Sequence, residues 1–223
     1  MKIKELKKII DQIGTEGLIN EFILNKDGTV KAVDPSRTLL VDLKYNGIIL
    51  QDNIGFENSR KLKGIINAFP DDTEPIITEK IVLKASGIEA EIPRRAIDTI
   101  TKPLDYPNIP FQLEINEVSL EKLRKAVKNR TEDLAEQYVF ETKNGMLRLI
   151  VGNQETGWIG EDIASAPTDK NLTSKFTVNI PEVIKTLEKN PTIKIGHNLP
   201  IEFSYSTDSY SIKYLAAPRN DTT

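Results

Sequence analysis

The apolar positions of this chain recur at two spacings, one typical of helices and the other of strands. Intervals of three and four residues predict an amphipathic helix over residues 4–13, defined by Leu6, Ile9, Ile10 and Ile13. The same pattern recurs in three later segments, which are residues 57–69, 119–130 and 181–190. Ser119 suits the N-cap of the third helix, and Pro181 suits the first turn of the fourth.

Strand signals follow the helices in the same order in both halves of the chain. FILNKDGTVKAV (residues 22–33) and FETKNGMLRLIV (residues 140–151) each predict a hairpin with an Asn, Asp or Gly turn. Each half then ends in alternating strands, KIVLKASGIEAEIP (residues 80–93) and TIKIGHNLPIEFSYSTDSYSIKYLAAP (residues 192–218). The order helix, hairpin, helix, strands therefore occurs twice.

This internal repeat predicts two similar domains, residues 1–100 and residues 111–223. Residues 101–110, TKPLDYPNIP, contain three prolines, which exclude a central strand or a helix interior and favour an extended connector. Two helices and several short strands in each domain predict an α+β fold, with antiparallel sheets that carry the helices on one face.

Composition excludes several classes of function. The chain has 223 residues, no cysteine and the single histidine His197, so we expect no disulfide, no thiolate or His-rich metal site and no cofactor. No apolar run is long enough to span a membrane, and the charged N-terminus is unlike a signal peptide. We expect a cytoplasmic or nucleoid-associated protein, or a nuclear or host-cell one if its source is eukaryotic or viral. No P-loop, G-x-S-x-G or H-E-x-x-H motif is present, so we predict no enzymatic activity.

Positive charge is concentrated on the predicted helices. These helices carry a net charge of +7 and the rest of the chain −10, within an overall net charge of −3. Basic helix faces without interleaved aromatic residues suit contact with the phosphates of duplex DNA, independent of sequence. The alternative is an ordinary solvated face, because lysine is common on exposed helices. The candidate DNA-binding residues are Lys4, Lys7, Lys8, Arg60, Lys63, Lys122, Lys125, Lys128, Lys185 and Lys189.

Three segments carry a resemblance to a known family. In VKAVDPSRTLLVDL (residues 30–43), two apolar runs flank Asp34-Pro35-Ser36-Arg37, where a plain hairpin would prefer Asn-Gly or Asp-Gly. This segment, the connector LDYPNIPF (residues 104–111) and the ending SIKYLAAPR (residues 211–219) closely resemble, in order, segments of PCNA-type DNA sliding clamps. The chain is similar to that family over essentially its whole length, as a short and divergent member of archaeal or viral kind.

The resemblance implies a ring, usually of three subunits, that encircles duplex DNA and tethers DNA polymerase and other replication and repair proteins. It implies helices lining the hole, a loader that places the ring on DNA, and a groove for client peptides. By position in this chain, the groove residues are Val33, Arg37, Leu40, Leu104, Tyr106, Ala217 and Pro218. Val33 and Leu40 could equally be ordinary strand residues, whereas a proline-rich connector has little other reason to carry Leu104 and Tyr106.

The chain departs from the family pattern in its length and its subunit joints. The first predicted helix begins almost at Met1, so we expect the family's leading strand to be truncated or absent, and the closing strands of the first half to be short. Both changes affect strands that join subunits in the family. The alternative function is a clamp-like structural or checkpoint subunit that does not serve a polymerase; loss of the groove's apolar residues would indicate it, and those residues are present.

Overall fold

The computed structural model describes residues 1–102, 108–128, 137–155, 157–176 and 179–218. The chain divides into two units. Unit 1 comprises Met1–Leu104 and Ser206–Ile212, and unit 2 comprises Asp105–Tyr205 and Lys213–Thr223. The sequence pattern did not predict that Ser206–Ile212 belongs to unit 1. The domain boundaries proposed from the sequence, 1–100 and 111–223 with the connector 101–110, stay a prediction.

Unit 1 contains two α-helices and two sheets among its described residues. Its elements in chain order are α1 (Ile3–Gly14), β1 (Phe22–Leu24), β2 (Thr29–Val33), β3 (Leu39–Tyr45), β4 (Ile54–Phe56), α2 (Ser59–Asn67), β5 (Ile76–Ile77), β6 (Lys80–Ala85) and β7 (Ile88–Pro93). One sheet has the order β4-β1-β2-β3 and the other β5-β6-β7, with antiparallel pairing. Short 3-10 turns follow α1 and β7.

Local hydrogen bonds explain the ends of the helices in unit 1. The backbone N–H of Lys2 donates to Glu5 Oε2 at 2.7 Å and satisfies a free donor at the start of α1. The side chain of Asn58 accepts from the N–H of Lys61 at 3.0 Å and caps α2. The apolar face of α1 is fully buried, as its periodicity predicts.

The β1–β2 hairpin is fixed by Asp27. Its Oδ1 accepts from the N–H of Thr29 at 3.0 Å and from the Thr29 hydroxyl at 2.6 Å. These hydrogen bonds to Thr29, assisted by Lys44, lower the pKa of Asp27 to about 2. Gly28 adopts a positive φ of 80°, and a Cβ there would lie 2.5 Å from the Tyr45 carbonyl oxygen, so the turn requires glycine.

Unit 2 repeats the order of helix, hairpin, helix and strands. Its elements are β8 (Leu113–Ile115), α3 (Leu120–Lys128), β9 (Gln137–Lys143), β10 (Met146–Asn153), β11 (Gly157–Ser165), β12 (Thr173–Phe176), α4 (Asn179–Thr186), β13 (Thr192–Ile195) and β14 (Ile201–Ser206). The last strand, β15 (Tyr210–Ala216), begins in unit 1 and ends in unit 2. One sheet has the order β11-β10-β9-β12, and β14, β13 and β8 are neighbours in the other.

The core of unit 2 is built on aromatic contacts. The ring of Phe140 packs edge-on against Phe176 and Phe203, at centroid distances of 5.9 and 5.8 Å. The β9–β10 turn places Asn144 and Gly145 at φ values of 52° and 74°, the two positive values that a type I′ hairpin needs. The predicted second hairpin is therefore confirmed.

The structure confirms the predicted fold class of antiparallel sheets with two helices in each half, among the described residues. Helix α2 is shorter than predicted, because Asn58 caps its start and the backbone leaves the helix ahead of Pro70. The sequence pattern missed β11, where Gly157–Gly160 is exposed throughout and shows no alternation.

Candidate functional site

The predicted cations of α1 lie on its exposed side. The side chain of Lys4 is exposed, and Lys7 Nζ lies 2.7 Å from Asp71 Oδ1 and donates to the Phe69 carbonyl oxygen at 3.0 Å. The ammonium group of Lys8 lies 5.9 Å from the centroid of the Tyr210 ring. Lys7 is thus tied to the segment that follows α2, whereas no ion pair of Lys4 occurs among the described residues.

The cations of α2 border a small cavity beside α1. Lys63 Nζ lies 2.7 Å from Asp11 Oδ1, which joins the two helices by an ion pair. A Cβ at Gly17 would lie 2.1 Å from Arg60 Nε, and Gly17 has a φ of 95°. Glycine is therefore needed where the Arg60 guanidinium crosses the backbone. The cavity of about 180 Å³ is lined by Ile10, Asp11, Gly14, Gly17, Ser59, Arg60 and Lys63.

The cations of α3 face the acidic residues in the middle of β11. Lys122 Nζ donates to the Asp162 carbonyl oxygen at 3.0 Å, and Lys125 Nζ lies 3.0 Å from Glu161 Oε2. Lys128 is exposed and has no ion pair among the described residues. The Ser119 carbonyl and hydroxyl accept from the N–H groups of Leu123 and Lys122, so the predicted N-cap is confirmed.

The fourth helix ends earlier than predicted, and the placement of Lys189 on it is wrong. Helix α4 ends at Thr186, and Lys189 is exposed in the loop that follows. The Leu187 carbonyl oxygen accepts from Arg124 Nη2 at 2.8 Å, and the Asn190 side chain accepts from the N–H of Leu120 at 3.0 Å. Pro191 also disfavours helical backbone at Asn190. Lys185 stays on α4, with its Nζ 4.0 Å from Glu182 Oε1.

Internal pairing therefore reduces the charge that the helices offer to a ligand. Lys7, Lys63 and Lys125 each have a carboxylate oxygen within 3.0 Å. The count from the sequence subtracted Asp11 but left out Asp71 and Glu161, which lie outside the predicted helices and far from their lysines in the sequence. Lys4, Lys128 and Lys189 are exposed cations with no ion pair among the described residues.

The turn between β2 and β3 is organised by Asp34, whose side chain is buried at 4% exposure. Its Oδ1 accepts from the N–H groups of Thr38 and Leu39 at 2.7 and 2.6 Å, and its Oδ2 accepts from the Thr38 hydroxyl at 3.0 Å. Arg37 is exposed at a left-handed φ of 57°. The Asp-Pro-Ser-Arg pattern predicted Arg37 as the functional residue of the turn but not the organising role of Asp34, although an aspartate before a proline is a typical turn former.

Predicted groove residues of unit 1 lie on and beside this turn. Val33 and Leu40 are cross-strand partners in the β2–β3 register, and both are half-buried. Val33 and Pro35 also border an open cleft of about 690 Å³ within unit 1, together with Asn20, Glu21, Glu57, Asn58, Arg60 and Thr101. Arg60, predicted for DNA contact, thus borders the same cleft as the turn.

The remaining groove residues belong to other parts of the chain. In unit 2, Ala217 is exposed and Pro218 half-buried, directly after β15. Leu104 and Tyr106 lie outside the described residues. The groove as a whole therefore stays a prediction.

Exposed sheet edges carry large apolar side chains that sequence reasoning missed. Among the described strands, β11 is one edge of its sheet, and Trp158 and Ile159 are 47% and 55% exposed. Strands β5 and β7 are the two edges of the three-stranded sheet, where Ile76 is 56% and Ile88 is 48% exposed. Exposed edges with large apolar side chains are prone to pair with another chain.

The described residues contain no cluster of three or more histidine, cysteine, aspartate or glutamate side chains that could hold a metal ion. His197 is exposed, and its backbone N–H donates to Gln112 Oε1 at 2.9 Å. No helix in the described part of the chain is long and apolar enough to cross a membrane.

Comparison with known proteins gives a result for the fold alone. The sequence matches no model of a protein family and no protein of curated function. The A. fulgidus PCNA, solved with the C-terminal region of FEN-1 bound, is similar at a TM-score of 0.74 and 15% identity, covering 100% of this chain and 98% of that chain. The PCNA of Entamoeba histolytica is similar at 0.75 and 15%, covering 99% and 97%. The PCNA of Thermococcus kodakaraensis is similar at 0.74 and 15%, covering 98% of both.

Proposed function

We propose that this chain, which has the PCNA-type clamp fold, is a subunit of a DNA sliding clamp. Copies of the chain form a ring around duplex DNA and tether a DNA polymerase and other replication and repair proteins. The observation that carries the proposal is the likeness of essentially the whole chain to PCNA at TM-scores of 0.74–0.75. A ring acts by topological linkage, so it catalyses no reaction and needs no cofactor.

The exposed apolar edges at β11 and β7 support association between copies of the chain. Strand β11 spans Gly157–Ser165 and β7 spans Ile88–Pro93, so the edges differ in length and side chains. A contact between unlike edges of successive copies is head-to-tail, and such contacts close into rings when the rotation allows. We propose β11 of one copy against β7 of the next, with three copies in the ring.

The exposed cations of the helices support contact with duplex DNA. Lys4 and Lys128 can reach phosphates without breaking an ion pair among the described residues. Lys7, Lys63 and Lys125 can bind a DNA phosphate only if each gives up the carboxylate with which it is paired. A grip of this kind is sequence-independent and depends strongly on salt, as sliding requires. A loader is the proposed partner that places the ring on DNA.

The β2–β3 turn supports a client site. Arg37 is exposed on a turn that Asp34 holds rigid, and Val33 and Leu40 are half-buried beside it. We assign the docking of client peptides to these residues, with Leu104, Tyr106, Ala217 and Pro218 as the other proposed contacts. An apolar seam with a charged rim suits a short peptide with apolar anchors.

A measurement of mass in dilute solution tests the proposed assembly. We expect a particle with three times the 25.1 kDa mass of one chain. A stable single chain at micromolar concentration would contradict a ring built from this chain alone. The remaining possibility would then be a ring that also contains subunits of other sequence.

A further inference from the structure

Strand β11 offers the carboxylate of Glu161 and the backbone carbonyl oxygen of Asp162 to the basic face of α3. Lys125 Nζ donates to both carboxylate oxygens of Glu161, at 3.1 and 3.0 Å. Lys122 Nζ donates to the carbonyl oxygen of Asp162 at 3.0 Å. The two lysines are three residues apart and so share one face of α3. Each of them is therefore already bound to β11.

A β-bulge accompanies these contacts. The register of β10 against β11 pairs Leu147 with Ala164 but Arg148 with Asp162, so β11 has one additional residue, Ile163. Bulges bend the strand and redirect its side chains. Ile163 remains buried at 1% exposure, whereas the carboxylate of Asp162 lies 2.7 Å from Arg148 Nε. The bulge thus keeps the apolar residue in the core next to the acidic pair.

The charges in this cluster balance. The cations are Lys122, Lys125 and Arg148, and the anions are Glu141, Glu161 and Asp162. The side chain of Glu161 is only 22% exposed, against 62% for Lys125, so the carboxylate is largely covered by protein whereas the lysine faces solvent. Within unit 2, the charge of Lys125 is therefore balanced by Glu161, whereas Lys122 is held only by a backbone carbonyl oxygen.

We infer that Glu161 is a built-in competitor for DNA phosphate, which holds Lys125 and weakens the grip of α3 on DNA. The inference rests on the proposed function. A carboxylate and a phosphate accept from the same ammonium group, and Glu161 stays nearby as a negative charge after the exchange. When Lys125 contacts a phosphate, the free energy gained is therefore only the difference between the Lys125–phosphate and Lys125–Glu161 ion pairs. This small gain limits the affinity for DNA and favours sliding.

The test is a double-mutant cycle on short duplex DNA, with affinity measured by fluorescence anisotropy at low salt. Glu161→Gln should bind about two- to five-fold more tightly than wild type, which is the range expected for release of an exposed ion pair. In a Lys125→Gln background the same change should give a smaller gain, because the coupling between the two residues is lost.

Glu114→Gln is the matched control. Glu114 is also in unit 2 and is also paired with a lysine, with its Oε2 3.5 Å from Lys194 Nζ, but it lies on β8. We expect no change in DNA affinity from this variant, and thermal unfolding confirms that each variant is folded. An equal gain in Glu114→Gln and Glu161→Gln would indicate net charge alone and overturn the inference.

The outcomes separate this inference from the proposed function. If the wild type binds DNA and Glu161→Gln binds equally well, the inference is overturned and the clamp proposal stands. If the gain persists unchanged in the Lys125→Gln background, Glu161 does not act through Lys125 and the inference is again overturned. If neither wild type nor Glu161→Gln binds the short duplex, α3 makes no measurable contact with DNA and the inference is overturned, whereas the clamp proposal is decided separately by retention on circular DNA.

Discussion

Asp34 shows how one buried carboxylate fixes an exposed feature. It accepts from two backbone N–H groups and one hydroxyl, and its own carbonyl oxygen accepts from the N–H of Arg37 at 2.9 Å. These bonds hold Arg37 at a positive φ that arginine rarely adopts. The sequence indicated a special turn from Asp-Pro-Ser-Arg. It could not indicate how many hydrogen bonds converge on Asp34, because that number depends on the folded path of Thr38 and Leu39.

Substitution of Asp34 tests its role in the turn. Asp34→Ala leaves the buried N–H of Leu39 and the partly buried N–H of Thr38 without their acceptor, and should lower the free energy of unfolding by about 2–4 kcal/mol. Urea denaturation measures the change. Ser36→Ala, an exposed neighbour, is the control and should change the stability by less than about 0.5 kcal/mol. Equal effects of the two substitutions would show that Asp34 does not organise the turn.

At the scale of secondary-structure elements, the sequence pattern predicted the helices but not strand β11, which carries the apolar edge and the acidic partner of α3. The burial of Leu6, Ile9 and Ile13 reproduces the periodicity that predicted α1, because a helix on a sheet buries one stripe. Strand β11 has exposed residues on both faces from Gly157 to Gly160, so no period of two marks it. Its place in the sheet is set by pairing with β10, which is a non-local contact. Sequence pattern alone therefore missed both the apolar edge and the acidic partners of α3.

Substitution of Trp158 tests the edge of β11 as a joint between copies. Trp158→Glu places a charge in the proposed apolar contact and should shift the particle to the single-chain mass of 25.1 kDa in sedimentation. Ile49→Glu is the control, because Ile49 is 86% exposed in the loop between β3 and β4. We expect it to leave the mass unchanged. An unaltered mass in Trp158→Glu would exclude this edge.

Removal of charge from α3 tests its contact with DNA. The double variant Lys122→Gln, Lys125→Gln should weaken duplex binding for all sequences and reduce the slope of log affinity against log salt by about two. The control is Lys31→Gln, Lys44→Gln, which removes two lysines from β2 and β3, of which Lys44 is also paired with an acidic residue, Asp27. If both double variants lower the slope equally, α3 is not a specific contact surface.

At the scale of the whole chain, the sequence predicted the fold but not how many cations of the helices remain without an acidic partner. The resemblance in three segments predicted the PCNA-type clamp fold, and the structural likeness confirms it. The count of charge on the helices, however, left out Asp71 and Glu161, which lie outside the predicted helices and pair with Lys7 and Lys125. Such partners become visible only in the folded chain. The helices therefore offer fewer free cations than their composition suggests.

The central claim is that copies of the chain encircle DNA, and retention on circular against linear duplex tests it most directly. The chain is mixed with nicked circular DNA while dilute and then concentrated, so that rings close around the DNA. The complex is then challenged with about 1 M salt, where the screening length is about 3 Å and phosphate contacts are lost. We predict that protein stays on the circle and leaves the same DNA once it has been cut. Equal retention on both, or loss from both, would contradict a sliding clamp.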